Sequence, residues 1–232
     1  KPDYVLGASL GEFTAAVTAG VITLEEALEL IIKQVELLSM LCGPGSMIAI
    51  IDTPDLYTKT RLLAEGSELV AVNYDSHFVV SGNQKPLDDI EHFLKANRIF
   101  HQKLPVCFGF HSSNVEPIHS EYLSFLRNFR MNPPQISMIS CVSGERLEGF
   151  TPEYIWDVVR GPIRFQNAIR GLESKGDFHY IDLGPAGTLA SFTKQNLTES
   201  SGSQYHATIT PFNLDLKNCR KIFDELGLAM PS

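Results

Sequence analysis

The sequence predicts an α/β protein: a doubly wound, mostly parallel sheet with a smaller βαββαβ subdomain set into it. Three observations predict this. Short apolar runs alternate with amphipathic helical stretches along the 232 residues, the pattern of a sheet covered on both faces. Gly7-Ala8-Ser9-Leu10-Gly11 joins a strand-like run, Tyr4-Val5-Leu6, to a helical pattern, so the chain turns sharply from strand to helix at a serine. A middle segment has its own strand and helix order, on a smaller scale than the rest.

The elements follow in chain order. The first helix covers 12–19 and ends at Gly20. Thr23 caps a second helix over 24–41, with Glu26 as the capping-box partner. Leu24, Ala27, Leu28, Ile31, Ile32, Val35 and Leu38 give that helix an apolar stripe, and Gly43-Pro44-Gly45 stops it. Strands at 46–51, 69–73, 78–81 and 99–104 alternate with helices at 54–64 and 86–96, the ferredoxin-like order. Residues 45–104 are therefore expected to form the small subdomain, and 1–44 with 105–232 the large one. Beyond it come a helix over 113–129, a strand at 136–141, and helices at 152–158 and 164–174. A strand at 179–183, a helix to 196, a polar loop at 198–205, a strand at 207–210 and a helix at 216–226 complete the chain. The elbow strand lies so near residue 1 that an N-terminal part of the large sheet is expected to be absent.

Composition narrows the class. With 44% hydrophobic and 20% charged residues the chain can bury a core. No apolar run spans a bilayer and no signal peptide is visible. A formal net charge of −8 argues against a general nucleic-acid binder. Cys42, Cys107, Cys141 and Cys219 lack paired spacing, so they read as reduced thiols of a cytoplasmic protein. No metal constellation or nucleotide-binding glycine loop stands out, and no cofactor is expected.

Ser9 is the candidate nucleophile. The turn lifts its hydroxyl, flanking glycines avoid clashes at the bend, and the following helix aims free N–H groups at charge developing on a bound carbonyl. A serine needs a base within reach. Among seven histidines, His111 stands out, because Pro105-Val106-Cys107-Phe108-Gly109-Phe110-His111-Ser112 sits where the small subdomain returns to the large one. An α/β-hydrolase order, Ser…Asp…His, would instead use His206 with Asp182.

Several blocks of the sequence together carry a family resemblance. Pro2-Asp3-Tyr4-Val5-Leu6-Gly7-x-Ser9-Leu10-Gly11-Glu12-Phe13 resembles the GHSLGE block. Gly45-Ser46-Met47-Ile48-Ala49-Ile50 resembles G-x-M-x-A-V. The stretch from Ala71-Val72-Asn73 to Val79-Val80-Ser81-Gly82 resembles the family's hairpin. Phe110-His111-Ser112 with Val115-Glu116-Pro117 resembles the histidine block, Gly161-Pro162-Ile163-Arg164-Phe165 the P-V-R-F block, and Asp182-Leu183-Gly184-Pro185 the E-x-G-P block. With these blocks in order, the chain resembles the malonyl-CoA:acyl-carrier-protein transacylases and the acyltransferase domains of polyketide and fatty-acid synthases.

The resemblance implies a Ser9–His111 dyad that forms an acyl-serine ester. It implies a main-chain carbonyl near Val158 orienting the imidazole. The Leu10 N–H supplies half of the oxyanion hole, and an upstream turn supplies the rest. Phe110 and Asn73 join Ala8 and Gln34 in the acyl pocket. Gln34 stands 25 residues after Ser9, where malonyl-using members carry an arginine that pairs with the acyl carboxylate. Lys33 lies on another helix face, and Ala8 replaces a histidine. A neutral pocket implies neutral acyl groups, and the glutamine in place of arginine resembles the family's trans-acting acyl hydrolase branch, so the expectation is a hydrolase that clears short acyl groups from acyl carrier protein. An acyltransferase moving acetyl or malonyl groups from CoA to the carrier, and a non-catalytic carrier-binding scaffold, are the alternatives. The phosphopantetheine arm or CoA enters as substrate. Arg127, Arg130, Arg160, Arg164 and Arg170 are candidates for carrier docking, with structural ion pairing the competing reading of Arg160 and Arg164.

Overall fold

The structure, a computed structural model, describes residues 1–212 and 214–229. The chain divides into two compact units, Lys1–Ala168 and Ile169–Ser232.

In the first unit, β1 (Tyr4–Gly7) pairs in parallel with β6 (Ser137–Ser140), Gly7 opposite Ser140. The elbow follows β1 directly and α1 (Gly11–Thr18) starts two residues after Ser9. Next, α2 (Leu24–Leu41) has the predicted bounds and cap: the Thr23 hydroxyl accepts from the Glu26 N–H, and the Glu26 carboxylate accepts from the Thr23 N–H. The predicted stripe of α2 divides. Its Ala27 and Leu38 are buried, together with Leu30 and Leu37 from outside the stripe, whereas its Leu24, Leu28, Ile32 and Val35 are at least half exposed. The helix's apolar arc is wider than the surface it packs on.

The middle segment forms one antiparallel sheet in the order β3-β4-β2-β5, the ferredoxin-like order. It comprises β2 (Gly45–Ile50), β3 (Glu68–Tyr74), β4 (His77–Asn83) and β5 (His101–Lys103). The helix expected over 54–64 is two short ones, α3 (Asp55–Lys59) and α4 (Arg61–Gly66), because the chain leaves helical geometry at Thr60 (φ −110°, ψ 103°). With α5 (Gln84–Ala96) they cover one face of the sheet around Ile48, Ile50, Phe78, Val80, Leu87 and Ile90. The other face carries Met47, Ala49, Val70, Ala71 and Val79, and Phe110 packs against it.

The helix expected over 113–129 begins as a 3-10 turn, Ser113–Ile118, before α6 (His119–Leu126). Pro117 lacks an N–H and favours the tighter first turn. Then α7 (Pro152–Arg160) is capped by Thr151 and opens on Pro152. The helices α1, α2, α6 and α7 bury Phe13, Leu30, Leu38, Ile118, Tyr122 and Val158 in one core.

Helix α8 (Phe165–Glu173) leads into the second unit. There β7 (His179–Asp182) and β8 (Gln204–Ala207) form a parallel pair flanked in sequence by α9 (Thr188–Asn196) and α10 (Asp215–Glu225). The final strand thus lies three residues earlier than the expected 207–210 and begins inside the stretch read as a polar loop. Its exposed Gln204 and Tyr205 hid it. Both pairs outside the ferredoxin-like sheet are parallel, as the alternation of strands and helices predicted.

Candidate active site

Ser9 and His111 meet. The Ser9 Oγ lies 2.8 Å from His111 Nε2, across 102 residues of sequence. Local geometry brings each there under strain. Ser9 has φ +55° and His111 φ +63°, the left-handed region that non-glycine residues rarely occupy. At the elbow the Gly11 N–H donates to the Ala8 carbonyl (3.0 Å) and the Glu12 N–H to the Ser9 carbonyl (2.9 Å), which fixes the turn. The two glycines of the motif are not equivalent. A Cβ on Gly7 would lie 2.0 Å from the Gly11 carbonyl oxygen, whereas one on Gly11 meets nothing within 4 Å. The clash expected at both positions exists only at Gly7, because the helix starts by crossing directly over the end of β1.

The segment before His111 threads a tight junction. The Gly45 N–H donates to the Cys107 carbonyl (2.9 Å). The Asn114 Oδ1 accepts from the Gly109 N–H (2.9 Å), the Ser112 Oγ donates to the Gly109 carbonyl (2.6 Å), and the Ser81 Oγ donates to the Phe110 carbonyl (2.7 Å). Polar side chains therefore hold the backbone on both sides of the histidine.

The ring is oriented by the end of α7. His111 Nδ1 lies 2.9 Å from the Gly161 carbonyl. A carbonyl only accepts, so Nδ1 carries the proton and Nε2 presents its lone pair to the Ser9 hydroxyl. The orienting carbonyl belongs to Gly161, three residues after the expected Val158. Pro162 cannot extend the helix, so the last carbonyls of α7 stay open to outside donors. The Val159 carbonyl takes the His111 N–H (3.2 Å). Burial, with the nearby Arg160 cation adding to it and the Gly161 bond opposing it, pushes the His111 imidazole down to about 4, so it is neutral at pH 7.

Behind the elbow, the buried Glu12 accepts from the Cys141 N–H (2.8 Å) and the Tyr154 hydroxyl (3.0 Å). It joins α1 to the end of β6 and to α7. Burial raises its carboxyl from 4.5 to about 7, the hydrogen bonds opposing the rise. Sequence reasoning missed Glu12, Gly161 and Arg160 as parts of this site. The only signals were the position of Glu12 directly after the motif's second glycine and the helix stop at Gly161-Pro162.

The remaining candidates lie as follows. Leu10 precedes α1 with its side chain exposed, and its N–H follows Ser9. Ala8 and Gln34 are half-buried, on the elbow and on α2. Lys33 sits 5.7 Å over the Phe125 ring and 3.5 Å from Glu36. Phe110 meets Phe108 edge-on at 6.1 Å. Asn73 bonds His77 Nδ1 at 3.0 Å in the β3–β4 hairpin, so its amide is engaged there. Arg127 pairs with Glu153 at 3.4 Å, while Arg130, Arg164 and Arg170 are exposed. Arg160 pairs with Glu68 and Glu116, the ion-pairing reading of that residue. In the rival order, Asp182 accepts the Gly184 N–H (2.8 Å) and the Ala190 N–H (3.0 Å), and the two ring nitrogens of His206 face Glu225 at 3.3 Å and His179 at 3.4 Å. Among the described residues no cluster of three or more metal-ligating side chains occurs, and no helix is long and apolar enough to cross a membrane.

Known proteins are similar to this chain in sequence and fold. Residues 1–226 match the family described as acyl transferase domain. The chain is 42% identical over 226 residues to the polyketide biosynthesis acyltransferase homolog BaeD of Bacillus velezensis, covering 97% of this chain and 70% of that protein. It is 42% identical over 221 residues to PksD of Bacillus subtilis, described in the same words, covering 95% and 68%. The acyltransferase domain from the second module of the salinomycin polyketide synthase superposes with a TM-score of 0.84 at 27% identity, over 95% of this chain and 52% of that one. The chain thus spans about half the length of that solved domain. The malonyl-CoA acyl-carrier-protein transacylase of Clostridium perfringens shares the fold, with a TM-score of 0.82 at 24% identity over 98% and 72%. A matched family over nearly the whole length, close relatives, and a serine at a strand-to-helix elbow bonded to a distant histidine lead to one assignment: the chain belongs to the acyl transferase domain family.

Proposed function

We propose that this protein is a serine-dependent acyl-thioester enzyme of polyketide biosynthesis, and that it hydrolyses short neutral acyl groups from acyl carrier protein through an acyl-Ser9 ester. The observation that carries the reading is the 2.8 Å contact between Ser9 Oγ and the unprotonated His111 Nε2. Ser9 Oγ attacks the thioester carbonyl as its proton passes to Nε2. The imidazolium that forms is stabilised by the Gly161 carbonyl on Nδ1–H and by the negative end of α7. The Leu10 N–H, at the start of α1, donates to the oxyanion. The C–S bond then breaks and the leaving thiolate of the phosphopantetheine arm takes the proton from Nε2. Water repeats the sequence: His111 accepts its proton, the Oγ–acyl bond breaks, Ser9 regains a proton and the free carboxylic acid leaves.

Gln34 supports the neutral substrate class. An amide cannot compensate a buried carboxylate, and the neighbouring cation, Lys33, is committed to Phe125 and Glu36. Transfer to a second thiol is the other reading, and the similarity to BaeD and PksD, both described as acyltransferase homologs, favours it. It differs only in the acceptor that His111 activates.

The test is a panel of acyl-carrier thioesters incubated with the protein and with Ser9→Ala, and read by mass spectrometry. The expected result is Ser9-dependent release of acetate from acetyl-carrier protein, with malonyl-carrier protein intact. A new acyl thioester as the main product establishes the transferase. Absence of both free acid and a new acyl thioester leaves only carrier binding.

A further inference from the structure

Every polar handle of the histidine except Nε2, which faces Ser9, is gripped by three consecutive residues at the end of α7. Its N–H donates to the Val159 carbonyl, its ring Nδ1 donates to the Gly161 carbonyl, and its own carbonyl accepts from Arg160 Nη1 at 3.3 Å. The first two contacts are to backbone carbonyls. The third depends on a side chain.

We propose that Arg160 is a positioning residue for His111, holding the strained base toward Ser9 and setting the charge around it. The guanidinium spends all its nitrogens on this task. Nε bonds Glu116 Oε1 at 2.9 Å, Nη2 bonds Glu68 Oε2 at 3.1 Å, and Nη1 reaches the His111 carbonyl. The other oxygen of Glu68 accepts the Ser113 N–H at 2.6 Å. Residues 111–113 are therefore closed into a ring of contacts that runs from His111 through Arg160 and Glu68 back to Ser113. Its members come from α7, β3 and the 3-10 turn. A positive φ at His111 persists only where surrounding contacts over-determine it, and this ring is such a set. A lysine in its place carries the charge but not the planar fork that spans three acceptors. This assignment rests on the reading of Ser9 and His111 as nucleophile and base.

Charge gives the inference a readout that mere scaffolding lacks. The groups facing His111 are the Ser9 hydroxyl from the elbow, the Arg160 cation from α7, and the carboxylates of Glu68 on β3 and Glu116 on the 3-10 turn, which lie behind that cation. Removing the cation leaves two carboxylates near the imidazole and favours its protonated form. Removing Glu116 leaves the cation less compensated and disfavours it.

The experiment measures the rate of Ser9 modification by a fluorophosphonate against pH, on the intact protein and on Arg160→Gln, Arg160→Lys and Glu116→Gln, with folding checked by circular dichroism. Arg160→Gln is expected to react about tenfold more slowly, with the acid limb of its profile moved to higher pH. Arg160→Lys is expected to keep the wild-type limb but not the wild-type rate. Glu116→Gln is expected to move the limb to lower pH. Folded variants with wild-type rate and profile overturn the role of Arg160 alone. A wild-type protein that is unmodified at Ser9 overturns the dyad reading instead. If Arg160→Gln does not fold, Arg160→Lys and Glu116→Gln decide the matter by the same two readouts.

Discussion

Ser9 and His111 are two of only three non-glycine residues with positive φ among the described residues, and they bond to each other at 2.8 Å. Strained backbone at one functional residue is common; strain at both ends of one hydrogen bond means that each side chain is aimed by its turn rather than by its own rotamer freedom. Each such conformation costs on the order of 1–3 kcal/mol. The elbow turn on one side and the contacts of residues 109–114 and α7 on the other offset it.

Removing either partner of this bond is expected to abolish the chemistry. Ser9→Ala or His111→Ala should reduce acyl release by about 10³-fold or more, measured as free acid from acetyl-carrier protein. His206→Ala should leave the rate unchanged, since its imidazole is engaged with Glu225 and His179. A His206 variant as inactive as His111→Ala would restore the α/β-hydrolase order.

The base should stay active well into acid. Burial lowers His111 from 6.5 to about 4, so the neutral, proton-accepting form persists below pH 6.5 and is lost only as pH falls through about 4. The acid limb of the Ser9 modification rate should therefore lie near 4; a midpoint near that of free histidine contradicts a buried ring. The sign for stability is the same: the contribution is present above 6.5 and lost toward 4.

Glu12 should make the fold less stable as pH rises. Its carboxyl stands at about 7 in the folded chain against an ordinary 4.5. Stability linked to it is present below 4.5 and is lost as pH climbs through about 7, by about 3 kcal/mol. Glu12→Gln can keep an acceptor for the Cys141 N–H and should flatten that dependence in thermal melts taken across this range.

The two glycines of the elbow should behave oppositely. Gly7→Ala drives a methyl into the Gly11 carbonyl and should cost at least about 2 kcal/mol by chemical denaturation. Gly11→Ala has open space at the start of α1 and should be neutral or stabilising by about 0.5 kcal/mol.

Gln34→Arg tests the acyl pocket. A guanidinium there should increase release or transfer of malonyl relative to acetyl groups, by about tenfold. An unchanged malonyl-to-acetyl ratio removes position 34 from the pocket.

Much of this was legible in the chain. Local signals have local causes, so the bounds and capping box of α2 and the order of the ferredoxin-like strands were readable from Thr23, Glu26 and the periodicity. The break at Thr60, the early β8 and the exposed half of the α2 stripe were not, because none leaves a local mark: each depends on what the segment packs against.

The sequence by itself determined that a serine sits at a strand-to-helix bend, since sterics of the backbone act between neighbours, and singled out the histidine where the ferredoxin-like segment ends. Only the tertiary structure decided which histidine meets Ser9, that Gly161 rather than a residue near Val158 orients it, and that Arg160 and Glu12 stand behind the pair. Those relationships join residues scores of positions apart, and pairing at that distance is set by how helices and strands pack, which no short motif encodes.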